Sequence, residues 1–355
     1  SMKFNYNGIS QFSSIRNTAS SSTLDRLGFK SEGTNLNLRY QNNTIIADSL
    51  FGIKYNLSNF DLNKYGFNHV TSEKTMGLYQ NNNASQLAIL TDGIYNNIDF
   101  TVNTLDNQTS LLNTLSGLNL TYFKRAPSQL FDKDARSLNQ RVAKNVSNSN
   151  KDFVTITYQV IAPPHSQLYV SIPNISWSDD NNHSLSITVN GVTKNQVTDN
   201  TFDFFDLGYF ETESMVTIKL SFSGNKAISF DNPSFYALDT QNYQIAMDTI
   251  NERDSKVTTS KNKVFVDYSS KTNASLFFTI PYDKGWTATI NHKKVKIQRA
   301  QKGFMKVDVP SGKGKVVLTF IPYGLKTGLL ISLLASIIFC CYAYFIRKTT
   351  IIQKS

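Results

Sequence analysis

Cysteine is almost absent from this chain of 355 residues. Its two cysteines, Cys340 and Cys341, are neighbours inside the last apolar run, and the first 339 residues contain none. Adjacent positions on a helix point about 100° apart, so we expect no disulfide between them. A cysteine-free remainder fits a cell exterior without disulfide machinery, as in many Gram-positive bacteria, and it fits a cytosolic protein equally well.

Charged residues are also scarce, at 17%, whereas aromatic residues reach 12%, with 17 Tyr and 24 Phe. Low charge combined with many aromatic rings argues against disorder and favours β-sheet, because flat rings pack well on a pleated surface. The length provides enough apolar material for two or three domains with cores of their own.

Motifs that carry chemistry are missing. The four histidines, at positions 69, 165, 183 and 292, form no ligand pair with Cys or carboxylates at metal spacing. The sequence has neither a glycine-rich phosphate loop nor a nucleophile elbow. We therefore expect no metal, no cofactor and no nucleic-acid partner, and the pattern alone nominates no catalytic residue.

One long apolar run is present, from Leu325 to Ile346, with Lys326 as its only charge. As a helix it would be about 33 Å long, enough to cross a hydrocarbon core of about 30 Å. The run predicts a transmembrane helix. Gly328, Ser332 and Ser336 recur at every fourth position, which favours packing against upstream transmembrane helices of the same protein.

The short tail, residues 347–355, carries Arg347, Lys348 and Lys354, which favours a cytoplasmic position for it. We accordingly expect a protein of the cell membrane whose bulk is extracytoplasmic. The N-terminus shows no signal peptide, and Ser1-Met2 resembles a cleavage remnant followed by an artificial start. We expect the segment that carries the chain across the membrane to lie upstream.

Positive charge is concentrated just before the apolar run. Nine basic residues lie between Asp283 and Lys315, and only Asp283 and Asp308 oppose them. The predicted basic surface consists of Lys284, Lys293, Lys294, Lys296, Arg299 and Lys302. It would face membrane lipid or an anionic polymer. The alternative is a solvated, lysine-rich sheet face.

Two segments about 108 residues apart resemble each other and indicate an internal repeat. The matching pairs are VTITY (154–158) with VFVDY (264–268), SQLYVSIP (166–173) with ASLFFTIP (274–281), Trp177 with Trp286, and SITVNG (186–191) with TATINH (287–292). Alternating apolar residues predict strands with one buried face, and Asn190-Gly191 and Asn291-His292 predict tight hairpin turns. We expect the two tryptophans to occupy equivalent core positions.

The predicted fold is therefore mainly β, with a mixed α/β N-terminal part and two antiparallel, jelly-roll-like β-sandwiches before one transmembrane helix. The predicted boundaries are 1–149 for the α/β region, 150–236 and 256–322 for the sandwiches, 237–255 for a linking helix, 325–346 for the transmembrane helix and 347–355 for the tail. Further predictions are helices at 23–27, at 108–115 behind Asp106, and from Asp239 to Glu252, and strands at 45–55 and 87–90.

Five phrases resemble the YfhO family of bacterial multi-pass membrane proteins. They are NYNGISQFSS (5–14), DSLFGIKY (48–55), YQNNNASQLAIL (79–90), NQTSLLNTLSG (107–117) and IPYDKGWTATINHKKVKI (280–297). The resemblance implies a glycosyltransferase that takes a sugar from a polyprenyl-phosphate carrier and decorates a teichoic-acid-type polymer. It also implies a dozen upstream membrane helices, with the catalytic carboxylate in a loop outside this chain. One departure is the turn Asn291-His292, where the family has Asp-Gly.

The resemblance nominates a substrate-binding surface formed by Tyr6, Ser13, Ser14, Asp48, Tyr55 and Asp283. Their polar and aromatic groups suit sugar hydroxyls and ring faces, although turn and core roles are open for each, and Asp283 also fits a turn at a strand end. The expected function is binding of the acceptor or the lipid-linked donor rather than catalysis by this segment. The alternative is a membrane-anchored carbohydrate-binding or envelope-assembly module without enzymatic activity.

Overall fold

The computed structural model describes residues 11–12, 18–31, 37–40, 44–131, 136–138, 141–144, 153–174, 176–177, 184–197, 204–223 and 228–352. Within these residues the helices are α1 (Thr18–Asp25), α2 (Ile45–Leu50), α3 (Thr104–Ser116), α4 (Thr240–Asn251) and α5 (Leu325–Ile352).

The strands of the described residues are β1 (Gln11–Phe12), β2 (Lys30–Ser31), β3 (Asn37–Arg39), β4 (Tyr55–Ser58), β5 (Phe67–Glu73), β6 (Met76–Asn81), β7 (Ala88–Leu90), β8 (Phe123–Arg125), β9 (Ser128–Leu130), β10 (Arg136–Leu138), β11 (Arg141–Lys144), β12 (Phe153–Ala162), β13 (Ser166–Ser171), β14 (Ser176–Trp177), β15 (Ser184–Val189), β16 (Val192–Val197), β17 (Phe204–Phe210), β18 (Ser214–Ser223), β19 (Ile228–Asp231), β20 (Ser234–Asp239), β21 (Ser255–Ser260), β22 (Lys263–Ser270), β23 (Ala274–Phe278), β24 (Trp286–Ile290), β25 (Lys293–Val295), β26 (Gln298–Ala300), β27 (Phe304–Val309) and β28 (Gly312–Phe320).

Two β-sandwiches form the body of the fold. In the first, a sheet with strand order β16-β15-β18-β12-β9 shares a buried core with the sheet β17-β13-β20-β8. In the second, the sheet β21-β22-β28-β24-β25 shares a core with the sheet β26-β27-β23-β7. Alternating strand residues such as Ile156, Leu220, Val266 and Leu318 are fully buried, as one inward face per strand requires. The predicted class, mainly β with a C-terminal apolar helix, is confirmed.

The five-stranded sheets of the two sandwiches repeat the same strand order, with β15, β16 and β18 corresponding to β24, β25 and β28. Their hairpin turns are also alike. Asn190 exchanges two hydrogen bonds of 3.0 Å with the backbone of Thr217, and Asn291 exchanges two of 3.0 Å with that of Lys315. In both turns an asparagine has a positive φ, of 47° and 46°, which its short side chain tolerates. The two predicted hairpins are confirmed.

The predicted equivalence of the tryptophans is wrong. Trp286 is the first residue of β24 and lies opposite Phe320. In the first sandwich Phe222 corresponds to Phe320, and the residue opposite Phe222 is Leu185, not Trp177. Trp177 belongs to β14, which pairs with β19 in a separate four-stranded sheet. The cause is the longer connection in the first half, where the chain visits that extra sheet before it begins β15.

The matched segments VTITY and VFVDY correspond with a shift of two residues. Leu220 pairs with Ile156, and the equivalent Leu318 pairs with Val264. A shift of two keeps the same side chains on the buried face, so alternation alone could not reveal it.

Local predictions in the first 150 residues had mixed outcomes. The predicted strand at 45–55 is wrong, because residues 45–50 form α2, and β4 begins only at Tyr55. Thr44 caps α2 by accepting a hydrogen bond from the Ala47 N–H at 3.3 Å, and all six helical residues are buried, so no polar face marks the helix. The predicted helix at 108–115 lies within α3, which Asn103 caps and Gly117 ends at φ 76°.

Other local predictions agree more closely with the structure. Asp239 caps α4, and the strand predicted at 87–90 contains β7. The helix predicted at 23–27 overlaps α1. Strands β7, β8 and β9, all from the first 149 residues, complete the two sandwiches. The predicted domain boundaries stay a prediction. The sheets cross them, since β8 and β9 pair with strands of the first sandwich and β7 pairs with β23 of the second.

The helix α5 contains the predicted membrane span. Residues Leu325–Tyr344 are long and apolar enough to cross a bilayer, and none of that window is buried against the rest of the protein. An apolar helix with no covered face suits a lipid environment.

Candidate functional site

A cleft of about 380 Å³ opens between α1, the loop at residues 97–100 and the turn joining β26 to β27. It is lined by Ala19, Ser22, Thr23, Arg26, Asn97, Ile98, Asp99, Phe100, Gln301 and Lys302. The volume lies in the range of small-molecule sites.

The turn at one side of the cleft has an unusual backbone. Gln301 and Lys302 both have positive φ, of 48° and 60°, which costs energy for side chains other than glycine. The Gln301 side chain is buried and holds the turn in place. It donates to the Ile98 carbonyl at 3.0 Å and accepts from the Ile98 N–H at 2.7 Å, while the Gln301 N–H donates to Asn97 Oδ1 at 3.0 Å. The loop wall of the cleft is thus fixed to the turn.

Helix α1 is fixed to the same turn. The Ser20 hydroxyl donates to the Gly303 carbonyl at 2.9 Å, and the Thr23 hydroxyl donates to the Gln301 carbonyl at 2.7 Å. A Cβ at Gly303 would lie 2.7 Å from Thr23 Oγ1 and 2.8 Å from Ser20 Cα. Glycine is therefore required for the helix to approach this closely.

The mouth of the cleft carries complementary groups. Arg26 and Lys302 are exposed cations, Asp99 is an exposed carboxylate, and the Phe100 ring is half-buried. The Arg26 guanidinium is steadied by one hydrogen bond, from Nη1 to the Thr101 carbonyl at 2.9 Å. Cations suit phosphate oxygens, a carboxylate accepts from hydroxyls, and an aromatic face packs on a sugar ring. The arrangement can hold a hydroxylated anion.

The cleft shares Lys302 with the predicted basic surface. Lys284, Lys293, Lys294, Lys296, Arg299 and Lys302 are all exposed. Strands β25 and β26, which carry several of them, are edge strands of the two sheets of the second sandwich. Lys306, counted among the nine basic residues, is different: it is buried, lies 3.1 Å from Asp308 and donates to the Tyr95 carbonyl at 2.7 Å.

Three nominated residues lie outside the cleft. Asp283 is exposed, and its Oδ1 accepts from the Gly285 N–H at 2.7 Å, as a turn residue does. Tyr55 opens β4, is 49% exposed and has the Lys54 ammonium 5.7 Å from its ring centre. Asp48 is fully buried in α2. Their role in substrate binding stays a prediction.

Asp48 belongs to an internal polar cluster. Its carboxylate pairs with Lys64 and accepts from the Tyr40 hydroxyl, and its neighbour Ser49 lies 2.6 Å from the Tyr243 hydroxyl. Burial raises the pKa of Asp48 to about 6, against the opposing effect of Lys64. The Asp48 carboxylate is thus enclosed by contacts within the core.

Tyr6, Ser13 and Ser14 lie outside the described residues. The residues that sequence reasoning missed are Arg26, Asp99 and Phe100, which come from separate segments and share no motif. One signal was present, the phrase Gln-Lys-Gly at 301–303, which is typical of a tight hairpin turn.

Among the described residues no group of three or more His, Cys, Asp or Glu side chains gathers as a metal site would require.

Comparison with known proteins places the chain among membrane proteins. Residues 1–332 match the family described as bacterial membrane protein YfhO. The uncharacterized protein YfhO of Bacillus subtilis strain 168 is 27% identical over 135 residues, which are 36% of this chain and 16% of that protein. The match thus spans about a sixth of the relative's length.

Solved structures resemble the chain only distantly. A Paenibacillus cycloisomaltooligosaccharide glucanotransferase is 7% identical, with a TM-score of 0.20 over 59% of this chain and 50% of that one. A conserved Pseudomonas aeruginosa protein is 9% identical, with a TM-score of 0.16 over 56% of this chain and 92% of that one. Neither likeness bears on function. The family match covers nearly the whole sequence, and the chain belongs to the YfhO family of bacterial membrane proteins.

Proposed function

We propose that this chain is the extracytoplasmic, substrate-binding part of a membrane glycosyltransferase. The whole protein would transfer a sugar from a polyprenyl-phosphate carrier to an anionic, teichoic-acid-type polymer. The observation that carries the proposal is the cleft, which combines Arg26, Lys302, Asp99 and Phe100. The catalytic carboxylate is expected outside this chain.

A polymer of this type repeats phosphate and hydroxyl groups, and the two parts of the site suit these two features. The exposed Lys293 and Lys294 of β25 would attract the phosphates from a distance, in a way that salt weakens. The cleft would hold one repeat unit, with the phosphate near Arg26 and Lys302 and the sugar or polyol against Asp99 and Phe100.

The position of the cleft supports a ligand held near the membrane. The Gly303 carbonyl accepts from the Ser20 hydroxyl on the cleft side and from the Tyr282 N–H, at 2.9 Å, on the other. Tyr282 begins the loop that contacts the segment leading into α5, because the Ile321 N–H donates to the Gly285 carbonyl at 3.0 Å. The cleft is thus connected through this loop to the segment that leads into α5, which suits a lipid-linked donor or acceptor.

The test uses the full-length protein in a strain that lacks the gene, with the sugar-to-phosphate ratio of the isolated wall polymer as the readout. Lys302→Asn removes the cation and keeps a residue that tolerates positive φ. Lys74→Asn is the matched control, since Lys74 is also exposed with φ 53° but lies in the β5–β6 turn. We expect Lys302→Asn to lower the ratio severalfold and Lys74→Asn to leave it unchanged.

A normal ratio with Lys302→Asn, and with Asp99→Asn and Phe100→Ala made separately, would contradict the role of the cleft. Normal glycosylation by a protein without residues 1–320 would contradict the role of the whole segment. If the intact protein bound the polymer but added no sugar in any strain, the non-enzymatic binding module would be the better description.

A further inference from the structure

The loop at residues 281–286 is fixed against the segment that leads into α5. The Asp283 carboxylate accepts from the Gly285 N–H at 2.7 Å, and the Gly285 carbonyl accepts from the Ile321 N–H at 3.0 Å. A Cβ on Gly285 would lie 2.4 Å from the Ile321 carbonyl oxygen, so the loop and the segment touch backbone to backbone. The loop therefore cannot move independently of the start of the helix.

Aromatic rings and cations alternate around this contact. The Trp286 ring lies 5.0 Å from the Phe320 ring, the Lys284 ammonium lies 5.6 Å from the Tyr323 ring, and the Arg299 guanidinium lies 4.5 Å from the Tyr282 ring. We call Tyr282, Lys284, Trp286, Arg299 and Tyr323 the interface collar. Tyr323 is 81% exposed, and Lys284 and Arg299 are exposed as well.

The chain connection sets the height of the collar above the apolar helix. Strand β28 ends at Phe320 and α5 begins at Leu325, a connection that limits the distance between them to about 17 Å. Gly324, with φ 87°, allows the turn between strand and helix, and the Leu325 side chain is already 47% exposed. Where α5 enters a bilayer, the collar consequently lies within reach of the head-group layer, in which Trp and Tyr rings and Lys and Arg side chains are favoured.

We propose that the interface collar binds the phosphates of anionic phospholipids and so holds the base of the second sandwich on the membrane. The charge around it is one-sided, because Asp283 is the only acidic residue between Ile280 and Gly303, and its carboxylate is engaged by Gly285. Basic side chains this close to an anionic surface are attracted to it, and salt weakens the attraction. This inference is independent of the proposed enzymatic function.

The test measures the distance of Trp286 from the lipid head groups. The full chain, carrying Trp177→Phe so that Trp286 is the only tryptophan, is placed in nanodiscs that contain a trace of head-group spin-labelled lipid. One set of discs is pure phosphatidylcholine, and the other contains one third phosphatidylglycerol, a proportion that makes the surface anionic. We expect stronger quenching of Trp286 fluorescence in the anionic discs, by about twofold, and loss of this difference in high salt.

In the variant Lys284→Gln/Arg299→Gln, the quenching of Trp286 fluorescence should be equal in both kinds of disc. The matched control is Lys271→Gln/Lys313→Gln, which removes the same charge from exposed positions at the opposite end of the second sandwich. Equal quenching of the unsubstituted collar in neutral and anionic discs would overturn the proposal. So would equal effects of the two double variants. The salt titration of the unsubstituted collar decides the question even if a collar variant fails to fold.

Discussion

The carboxylate of Asp48 in α2 pairs with the ammonium of Lys64, and their side chains are only 1% and 7% exposed. The Tyr40 hydroxyl donates to the same carboxylate, and the Lys64 ammonium lies 5.0 Å from the Phe67 ring centre. Two charges withdrawn from water depend on each other, because the loss of either removes the ion pair that offsets the burial of the other.

The first prediction concerns this ion pair. Lys64→Met alone should lower the free energy of unfolding by about 3–5 kcal/mol, because it removes the ion-pair partner of the buried, ionised Asp48. The double variant Asp48→Asn/Lys64→Met should lose less than Lys64→Met. Chemical denaturation and hydrogen exchange of α2, measured near pH 7, would show this. A double variant as unstable as Lys64→Met would mean that the loss does not come from the charge of Asp48.

The pH dependence of stability is the second prediction. Burial raises the pKa of Asp48 from 3.8 to about 6 in the folded protein, so the folded state binds this proton more tightly than the unfolded state. The protonated Asp48 carboxyl therefore stabilises the fold below about pH 4, and this stabilisation is lost as the pH rises through about 6. The free energy of unfolding should fall by about 3 kcal/mol in total, at about 1.4 kcal/mol for each pKa unit. The measurement is the difference in the free energy of unfolding between the unsubstituted protein and the variant Asp48→Asn/Lys64→Met at each pH. A stability difference that stayed constant between pH 4 and 7 would refute the shift.

Arg253 supports the third prediction. Its guanidinium donates to the carbonyls of Leu90 at 2.7 Å, Leu115 at 2.6 Å and Ser116 at 2.5 Å, which joins β7 to the end of α3. Lysine cannot reproduce this planar set of donors, so Arg253→Lys should destabilise the protein by about 1–3 kcal/mol. Faster hydrogen exchange at residues 113–117 would be the local readout. Lys256→Arg, at an exposed position of β21, serves as the control.

The sandwiches were predictable from sequence because alternation is a local signal with a physical cause. Each strand buries every second side chain, and Asn190 and Asn291 mark the turns. The apolar helix was predictable for a similar reason, since the run from Gly328 to Ile346 carries no charge. Trp177 and Trp286 misled the comparison because a shared residue type does not determine the strand on which it lies.

The cleft was not predictable in this way. Arg26, Asp99 and Lys302 come from three distant segments. Tertiary contacts such as those of Gln301 with Ile98 and of Thr23 with Gln301 bring these segments together. Asp48 illustrates the opposite error. Its sequence context looks polar, but Thr44 begins a buried helix there, and the carboxylate is used within the core.

The fourth prediction concerns the turn at Asn291-His292. His292 has φ 68°, a conformation that costs a non-glycine residue about 1 kcal/mol or more, whereas the corresponding residue in the first sandwich, Gly191, has φ 89°. The His292 side chain is exposed. His292→Gly should therefore raise the free energy of unfolding by about 0.5–1 kcal/mol, since the relief of strain exceeds the entropy that glycine adds to the unfolded chain. The reciprocal change, Gly191→His, should destabilise the first sandwich by a similar amount. Thermal unfolding of both variants, with hydrogen exchange at each hairpin, separates the two effects. A loss of stability from His292→Gly would show that the histidine side chain makes a contact that outweighs the strain of its backbone.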